Sequence, residues 1–235
     1  MTMAGTRDRC TTQRRSRASR RAIAAVLLLW PLGACSPTDG APQVRPSLTW
    51  VDSPPSGELE SDEWVEAARE AEFARAWAAN TADFSLPAVI SVWDIDTIHD
   101  FAATVQSDLL RGTPHVQLGP RPLTPVGVEV DEDGKGAVVA ACVDDVEMQP
   151  PYDDGNDWPL VRYYPLELAD DGHRRIARGR PPEEPFILSD GTELTNEYCK
   201  TLTIPRAVFD PVPDLDALAR KEKDDVVVPP LEPVR

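Results

Sequence analysis

Hydrophobic residues in the first half of the chain recur at the spacing of an α-helix. Over 64–78 the apolar positions follow one another at intervals of three and four residues, alanine dominates the stretch, and Ser61 fits the N-cap. A stronger apolar stripe covers 98–109, where Asp96 or Thr97 fits the N-cap and Gly112 fits the C-terminal end. The pattern therefore predicts two N-terminal helices.

Beyond Pro114 the apolar period changes from helical to alternating, which is typical of β-strands. Alternating segments separated by turn residues are found at 125–130, 137–143, 160–168, 173–178 and 197–204. Pro165 lies inside one of them and indicates an edge position or a bulge, since proline has no N–H for the ladder. Helices followed by antiparallel strands predict an α+β domain, with N-terminal helices packed on a curved antiparallel sheet.

The N-terminal residues carry the pattern of an export signal. Seven arginines precede the apolar run 22–30, which has about half the length that a membrane-spanning helix needs. The sequence Leu32-Gly33-Ala34-Cys35 follows, and it matches the lipobox of bacterial lipoprotein precursors at all four positions. The segment therefore resembles a lipoprotein signal peptide.

This resemblance implies a mature protein that starts at Cys35 with a diacylglyceryl group on its thiol. Two or three acyl chains hold a protein durably on a bilayer, so we expect a lipoprotein of the cell membrane that faces the extracytoplasmic side. The segment 19–23 also resembles a twin-arginine signal. The export route is therefore open between the general secretory and the twin-arginine pathways.

Composition divides the chain into four segments. Residues 1–34 form the predicted signal peptide, and 35–60 combine the lipidated cysteine with a flexible tether rich in proline, serine and acidic residues. Within that tether, 48–51 is compatible with either an edge strand or a free segment. The predicted α+β domain covers 61–205, and an acidic, proline-rich tail covers 206–235.

A hairpin that carries the segment Ala-Cys-Val-Asp at 141–144 follows the alanine-rich helix. Together with the lipobox and the tether, this layout resembles actinobacterial lipoproteins with the fold of the nuclear transport factor two superfamily. In that superfamily helices cover a curved sheet in a cone-like arrangement. The resemblance spans 61–205, except for 181–196, which has no counterpart in it. It implies a pocket between the helices and the sheet.

The charge of the chain limits its partners. It has 40 acidic and 24 basic residues, and seven of the basic ones precede Cys35 together with a single aspartate. Residues 35–235 therefore carry 17 basic against 39 acidic side chains, a net charge of −22. Such a surface repels phosphates and anionic lipids, so we expect no nucleic-acid partner.

Two of the four cysteines remain for the exported domain. Cys10 would be lost with the signal peptide and Cys35 would be acylated, which leaves Cys142 and Cys199. Thiols tend to oxidise outside the cytoplasm, so we predict a disulfide between them, the alternative being two buried, unpaired thiols. The spacing contains no Cys-x-x-Cys motif that would favour redox chemistry or a zinc site.

Four residues are candidates for lining the implied pocket: His115, Trp93, Arg162 and Arg175. His115 could pair with Asp83 or Asp108 as a general acid and base, or it is an exposed loop histidine. Trp93 is explained most simply by packing in the core, although it could line a pocket.

The two arginines belong to a basic island in an otherwise acidic chain. Its members are Arg162, Arg174, Arg175, Arg178 and Arg180. A turn at 170–172 would bring several of them onto one patch, which either binds a carboxylate, a phosphate or an acidic partner, or pairs with the protein's own acids. We favour internal pairing.

Two acidic segments have the composition of a metal site. Residues 94–100 contain three aspartates and His99, but acids at the start of a helix are also explained by its dipole. Residues 153–157 contain the acids of a calcium loop without its spacing or its distal glutamate. We therefore predict no metal site and no cofactor.

Three kinds of function are compatible with the sequence. We favour a non-catalytic module, held on the membrane by its lipid anchor, that binds a small ligand or a protein partner. The alternatives are an enzyme with an acid–base pair at His115, and a structural or assembly protein of the envelope that makes contact through 206–235. The motifs typical of serine hydrolases, zinc proteases and phosphate-binding loops are absent from the sequence.

Overall fold

The computed structural model describes residues 43–51, 53–144, 159–179 and 185–231. These residues form five α-helices and six β-strands. The helices are α1 Glu63–Thr81, α2 Pro87–Ile90, α3 Ile95–Arg111, α4 Asn196–Cys199 and α5 Leu215–Ala219. The strands are β1 Ser47–Trp50, β2 Leu123–Val130, β3 Gly136–Val143, β4 Leu160–Leu168, β5 Arg174–Ile176 and β6 Ala207–Asp210. The α+β class expected from the sequence is confirmed.

Helix α1 is capped by a side chain that suits its first turn. The Asp62 carboxylate accepts hydrogen bonds from the main-chain N–H groups of Trp64 and Val65, at 2.8 and 3.3 Å. These are donors that a helix leaves open at its start. Asp62 is therefore the N-cap instead of the predicted Ser61, and most of the alanines of the helix are buried against the rest of the domain.

Helix α3 begins earlier than predicted. The Asp94 carboxylate, rather than Asp96 or Thr97, is the cap, because it accepts the Thr97 N–H at 2.9 Å. Asp96 lies in the first turn, where its charge still stabilises the positive end of the helix dipole. Gly112 ends the helix as predicted, with φ at 68° in the left-handed region that favours glycine.

Among the described residues, β2, β3, β4 and β5 form a four-stranded antiparallel sheet in that order. Pro165 lies in β4 opposite Val138 of β3, and its carbonyl accepts the Ala177 N–H at 2.8 Å. The main-chain groups of Pro165 therefore point away from β3, towards the β5 side. The missing N–H costs no ladder bond there, because the pairing of β4 with β5 ends at Leu166 and Ile176. The predicted edge position or bulge is wrong, since β4 lies between β3 and β5 and its register with β3 is continuous through Pro165.

Alternate side chains of this sheet point to two faces that are covered differently. The helix-covered face packs against α1 in the larger apolar core. Its buried sheet residues are Leu123, Ala137, Val139, Ala141, Val143, Tyr164, Leu166 and Ile176. The segment-covered face packs against 185–204, which we call the covering segment, in a smaller core. The buried residues of this core are Ala140, Cys142, Phe186, Leu188, Leu194, Cys199 and Ile204.

The strand predicted over 197–204 is wrong. The Thr195 hydroxyl accepts the Tyr198 N–H at 3.2 Å and caps the short helix α4, after which the chain continues as a loop. Cys199 and Ile204 are buried against the sheet and take no part in its ladder. The alternating pattern arises because apolar side chains of this segment are buried on one side of it. A turn of helix followed by a loop buries such side chains as well as a strand does.

The domain boundaries differ from those predicted. Strand β1, from the predicted tether, pairs antiparallel with β6, from the predicted tail, and Leu48 stands opposite Phe209. Phe209 is buried and its ring packs edge-to-face on that of Phe73 in α1. The edge-strand alternative for 48–51 is therefore correct, and the compact unit begins at Val44.

The described part of the predicted tail, 206–231, also belongs to the domain. Val227 receives a main-chain hydrogen bond from Phe84 at 2.8 Å and donates one to Ala82 at 2.9 Å. Leu218 and Val226 are buried in the larger core. Apolar residues spaced along this acidic, proline-rich stretch thus fix it to the helices.

Candidate functional site

A charged side chain is buried on the helix-covered face. Glu72 of α1 is fully buried, and among the described residues no other charged residue is buried. Burying a carboxylate costs several kcal/mol unless charges and hydrogen bonds compensate it. The surroundings of Glu72 are therefore the first place to look for a site.

Three side chains from three parts of the fold donate hydrogen bonds to the Glu72 carboxylate. Arg75, one turn further along α1, donates from Nε to Oε2 at 2.9 Å. The Tyr164 hydroxyl of β4 and a terminal nitrogen of Arg121, in the loop before β2, donate to Oε1 at 3.0 and 3.3 Å. The carboxylate is thus satisfied on both oxygens.

Arg162 completes the group from the strand that carries Tyr164. The two residues are separated by one position in β4 and therefore share a face of the sheet. The Arg162 guanidinium carbon lies 5.5 Å from the centroid of the Tyr164 ring, in cation–π range. We call Glu72, Arg75, Arg121, Arg162 and Tyr164 the Glu72 cluster.

The electrostatics of the cluster favour an ionised Glu72. Burial by itself disfavours the charge, but Arg121, Arg75 and Arg162 outweigh it and lower the pKa of Glu72 from 4.5 to about 2. Burial, and next the charge of Glu72, raise the pKa of Tyr164 far above its ordinary value. At neutral pH Glu72 is therefore an anion and Tyr164 a neutral donor.

The three arginines of the cluster differ in how far solvent reaches them. The Arg75 and Arg121 side chains are 16% and 14% exposed, whereas Arg162 is an exposed residue. Arg162 is therefore the member of the cluster that lies nearest to the surface.

The other described arginines of the predicted basic island lie elsewhere and pair internally. Arg174 contacts Glu63 and stacks over the Trp64 ring, with 4.7 Å between the guanidinium carbon and the ring centroid. Arg175 pairs with Asp171. These arginines are paired with the final residues of β4, about 20 Å along the strand from Arg162 at ~3.3 Å per residue.

The remaining arginine of the island within the described ranges is Arg178. Its terminal nitrogens lie 2.8 Å from an Asp100 oxygen and 3.5 Å from one of Asp96. Arg174, Arg175 and Arg178 of the island therefore pair with acids at the surface, whereas Arg162 belongs to the Glu72 cluster. Arg180 lies outside the described residues. The single patch expected from the turn at 170–172 does not include Arg162.

Trp93 lies in the core and not in an open pocket. It is 4% exposed, and its indole Nε1 donates to the Ala71 carbonyl at 2.8 Å. Its ring packs edge-to-face on that of Phe101, with centroids 4.8 Å apart. Trp93 is therefore a core residue, as the packing interpretation predicted.

His115 is exposed in the loop between α3 and β2. The two aspartates named as its partners make contacts of their own. Asp108 accepts a hydrogen bond from Arg111 at 2.6 Å, and Asp83 accepts one from the Ser85 hydroxyl at 2.7 Å. The acid–base pair therefore stays a prediction.

The acidic segment at the start of α3 is occupied by structural contacts. Asp94 caps the helix, and Asp96 and Asp100 contact Arg178. Nε2 of His99 lies 3.0 Å from the carbonyl oxygen of Pro229. Among the described residues, three or more His, Cys, Asp or Glu side chains are nowhere grouped so that they could hold a metal ion. The segment 153–157 lies outside the described residues.

The predicted disulfide is present. Cys142 of β3 and Cys199 of α4 are bonded, with 5.3 Å between their Cα atoms, and both residues are fully buried. The bond fastens the covering segment to the sheet. Cys35 and the apolar run 22–30 lie outside the described residues, and within those residues no helix is long and apolar enough to cross a membrane.

Most of the Glu72 cluster was not identified from the sequence. The available signal was a glutamate inside an apolar stripe, because Ala68, Glu72 and Ala76 share a face of α1 at intervals of four and all three are buried. Its partners are 49 and 92 residues away at Arg121 and Tyr164. Local spacing carries no information at such separations.

Comparison with known proteins identifies no relative of this chain. The chain matches no protein-family model, no curated protein and no solved structure.

Proposed function

We propose that the protein is a lipid-anchored extracytoplasmic lipoprotein whose α+β domain binds a ligand or partner without catalysing a reaction. The lipobox Leu32-Gly33-Ala34-Cys35 supports the anchor. The net charge of −22 over 35–235 argues against a nucleic-acid partner.

The observation that carries the export part of this proposal is the disulfide between Cys142 and Cys199. Such bonds persist in oxidising compartments outside the cytoplasm and are rare in the reducing cytosol. The bond is buried and joins two parts of the fold that are 57 residues apart in sequence. It supports export on grounds independent of the N-terminal motif.

The state of the Glu72 cluster supports binding rather than acid–base chemistry. A catalytic acid or base works best with a pKa near the pH at which it acts. The pKa of Glu72 is about 2, and burial raises that of Tyr164 far above its ordinary value. Both groups therefore keep their protonation states at neutral pH, which argues against an acid–base role for either of them.

The mass of the protein purified from the membranes of its own host tests the anchor and the disulfide together. We expect the mass of 35–235 plus acyl chains, and a gain of two hydrogens on reduction, because the intact bond takes up two hydrogen atoms. A mass without lipid contradicts the anchor, and an unchanged mass on reduction contradicts the oxidised pair.

Matched cysteine variants make the anchor test specific. The Cys35→Ser variant is expected to lose the lipid mass and its membrane association, since its side chain cannot form the thioether. The Cys10→Ser variant is expected to behave like the unaltered protein, because Cys10 precedes the predicted cleavage site. Equal membrane association of the two variants would contradict lipidation at Cys35.

A further inference from the structure

We propose that the end of the domain where β1 begins rests on the lipid bilayer, with the side chains of Val44 and Val212 in its headgroup–acyl boundary. The inference rests on the proposed lipid anchor, and it adds the surface of the domain that contacts the membrane. The partner to which it commits is the phospholipid bilayer itself.

The first argument is the short link between the predicted anchor and the domain. The sequence predicted a tether that continues to residue 60, but the compact unit begins at Val44. Residues 36–43 then separate the domain from Cys35. At ~3.4 Å per residue, the nine steps from Cys35 to Val44 span at most about 30 Å. A domain of about 190 residues is roughly 40 Å across, so the side that carries Val44 faces the bilayer.

The second argument is the exposure of two aliphatic side chains at this end. Strand β1 begins at Ser47, which pairs with Asp210, the last residue of β6. Val44 lies three residues before this pair and Val212 two residues after it, so both are within about 10 Å of it along the chain. Val44 is 88% exposed and Val212 is 66% exposed. Transfer of such side chains out of water is favourable, and the headgroup–acyl boundary accepts them.

The third argument is that charge restricts the contact to this end. The net charge of −22 over 35–235 repels an anionic membrane surface. This repulsion keeps the domain from lying flat on the bilayer, and the end held by the short link is the part that reaches it. Arg45, next to Val44, pairs with Glu70 at 2.6 Å, and the pair adds no net charge there. The contact is therefore apolar, and salt should strengthen it by screening the repulsion.

A fluorescent label on the mature protein tests which side of the domain meets the bilayer. Ser47→Cys places a single reactive thiol at the start of β1, because the proposed anchor acylates Cys35, and Cys142 and Cys199 are bonded to each other. Ser189→Cys is the matched control. Ser189 is also an exposed serine, but it lies in the covering segment, on the other side of the four-stranded sheet from the larger core that β6 joins.

Both labelled proteins are placed in phosphatidylcholine vesicles in which some lipids carry a nitroxide quencher on an acyl chain. We expect the label at residue 47 to be quenched and the label at residue 189 to keep its fluorescence, because the contact brings the former within ~10 Å of the acyl chains. Equal quenching at the two positions, or none at either, would overturn the proposal. Energy transfer between copies labelled at residue 47, without lipid quenching, would assign the surface to a second copy and overturn it too.

Substitutions in the protein labelled at residue 47 test whether the contact is apolar. Val212→Ser is expected to lower the ratio of docked to undocked domain about fivefold, the effect of losing most of the burial of one valine side chain. Ile187→Ser is the matched control, since Ile187 is an aliphatic residue that is 53% exposed in the covering segment. Equal effects of the two substitutions would contradict contact through Val212. Circular dichroism of each variant checks that it is folded.

Salt separates an apolar contact from an electrostatic one. In vesicles that also contain phosphatidylglycerol, quenching at residue 47 should increase with sodium chloride, because screening weakens the repulsion of the acidic domain. A decrease would show an electrostatic contact and overturn the apolar one. Protein that has the lipidated mass but is quenched equally at both positions contradicts this surface and leaves the proposed anchor standing. Protein without the lipid mass contradicts the anchor and, with it, this surface.

Discussion

The two faces of the central sheet are stabilised by different means. The helix-covered face packs against regular helices in the larger core and buries an ionised carboxylate among three arginines. The segment-covered face packs against a stretch that contains only one turn of α-helix, and a disulfide ties that stretch to β3. The stability of the helix-covered face should therefore respond to changes of charge and pH. The stability of the segment-covered face should respond to reduction of the disulfide.

The largest effect is expected from removing the buried carboxylate. Glu72→Ala removes the carboxylate that accepts hydrogen bonds from Arg75, Arg121 and Tyr164, and breaking a buried ion pair in this way costs up to about 5 kcal/mol. Urea unfolding followed by circular dichroism measures the loss. Glu70→Ala, on the same helix but in a partly exposed pair with Arg45, should cost less than about 1 kcal/mol. Similar losses for the two variants would contradict the special role of Glu72.

Removing the disulfide should have the next largest effect. The bond closes a loop of 57 residues, for which chain entropy gives about 4 kcal/mol. The double variant Cys142→Ala, Cys199→Ala should unfold at a correspondingly lower urea concentration. Hydrogen exchange should show the covering segment losing protection before α1 does. Simultaneous loss of protection on both faces would contradict their separate stabilisation.

The response to acid should come from the helix-covered face. The pKa of Glu72 is about 2 in the folded protein and near 4.5 when unfolded, so the unfolded chain binds more protons between these values. The contribution of Glu72 to stability is therefore present above about pH 4.5 and lost as the pH falls towards 2, by ~3 kcal/mol in all.

The matched comparison for this effect is Glu72→Gln, which keeps the shape of the side chain without its titration. The difference in unfolding free energy between the unaltered protein and this variant should shrink as the pH decreases over that window. A difference that does not change with pH would contradict an ionised Glu72.

The smallest effect is expected from the exposed arginines. Arg178 contacts Asp96 and Asp100 with side chains that are 62% to 66% exposed. Solvent screens such pairs, and Arg178→Gln should change the unfolding free energy by less than about 1 kcal/mol. Thermal unfolding at low and high salt measures this, and a larger loss would place Arg178 among the groups that hold the fold.

The local features of the fold were predictable from the sequence, and the long-range ones were not. Apolar spacing located α1 and α3, and alternation placed β4 at 160–168. The pairing of β1 with β6 joins residues 163 apart at Ser47 and Asp210, so no local pattern could decide between a free tether and a strand. Sequence alternation also could not separate a strand from the capped helix at Thr195.

The candidate site was harder to predict for the same reason. The pair Cys142 and Cys199 was predicted because the resemblance to a lipoprotein signal peptide sets Cys10 and Cys35 apart, and this inference needs no geometry. Arg162 was identified as one of several clustered basic residues, although its neighbours in sequence lie at the other end of β4. Its contact is the Tyr164 ring of the same strand, and only the fold brings Tyr164 to Glu72 of α1.

The titration of Glu72 itself tests the central claim most directly. Carbon-13 nuclear magnetic resonance of the side-chain carboxyls, assigned with Glu72→Gln, follows each glutamate as the pH is lowered. We expect Glu72 to remain ionised at pH values where exposed glutamates are already protonated, with a pKa of about 2. A Glu72 signal that titrates near 4.5 would show that the three arginines do not hold its charge, and would contradict the electrostatics of the Glu72 cluster.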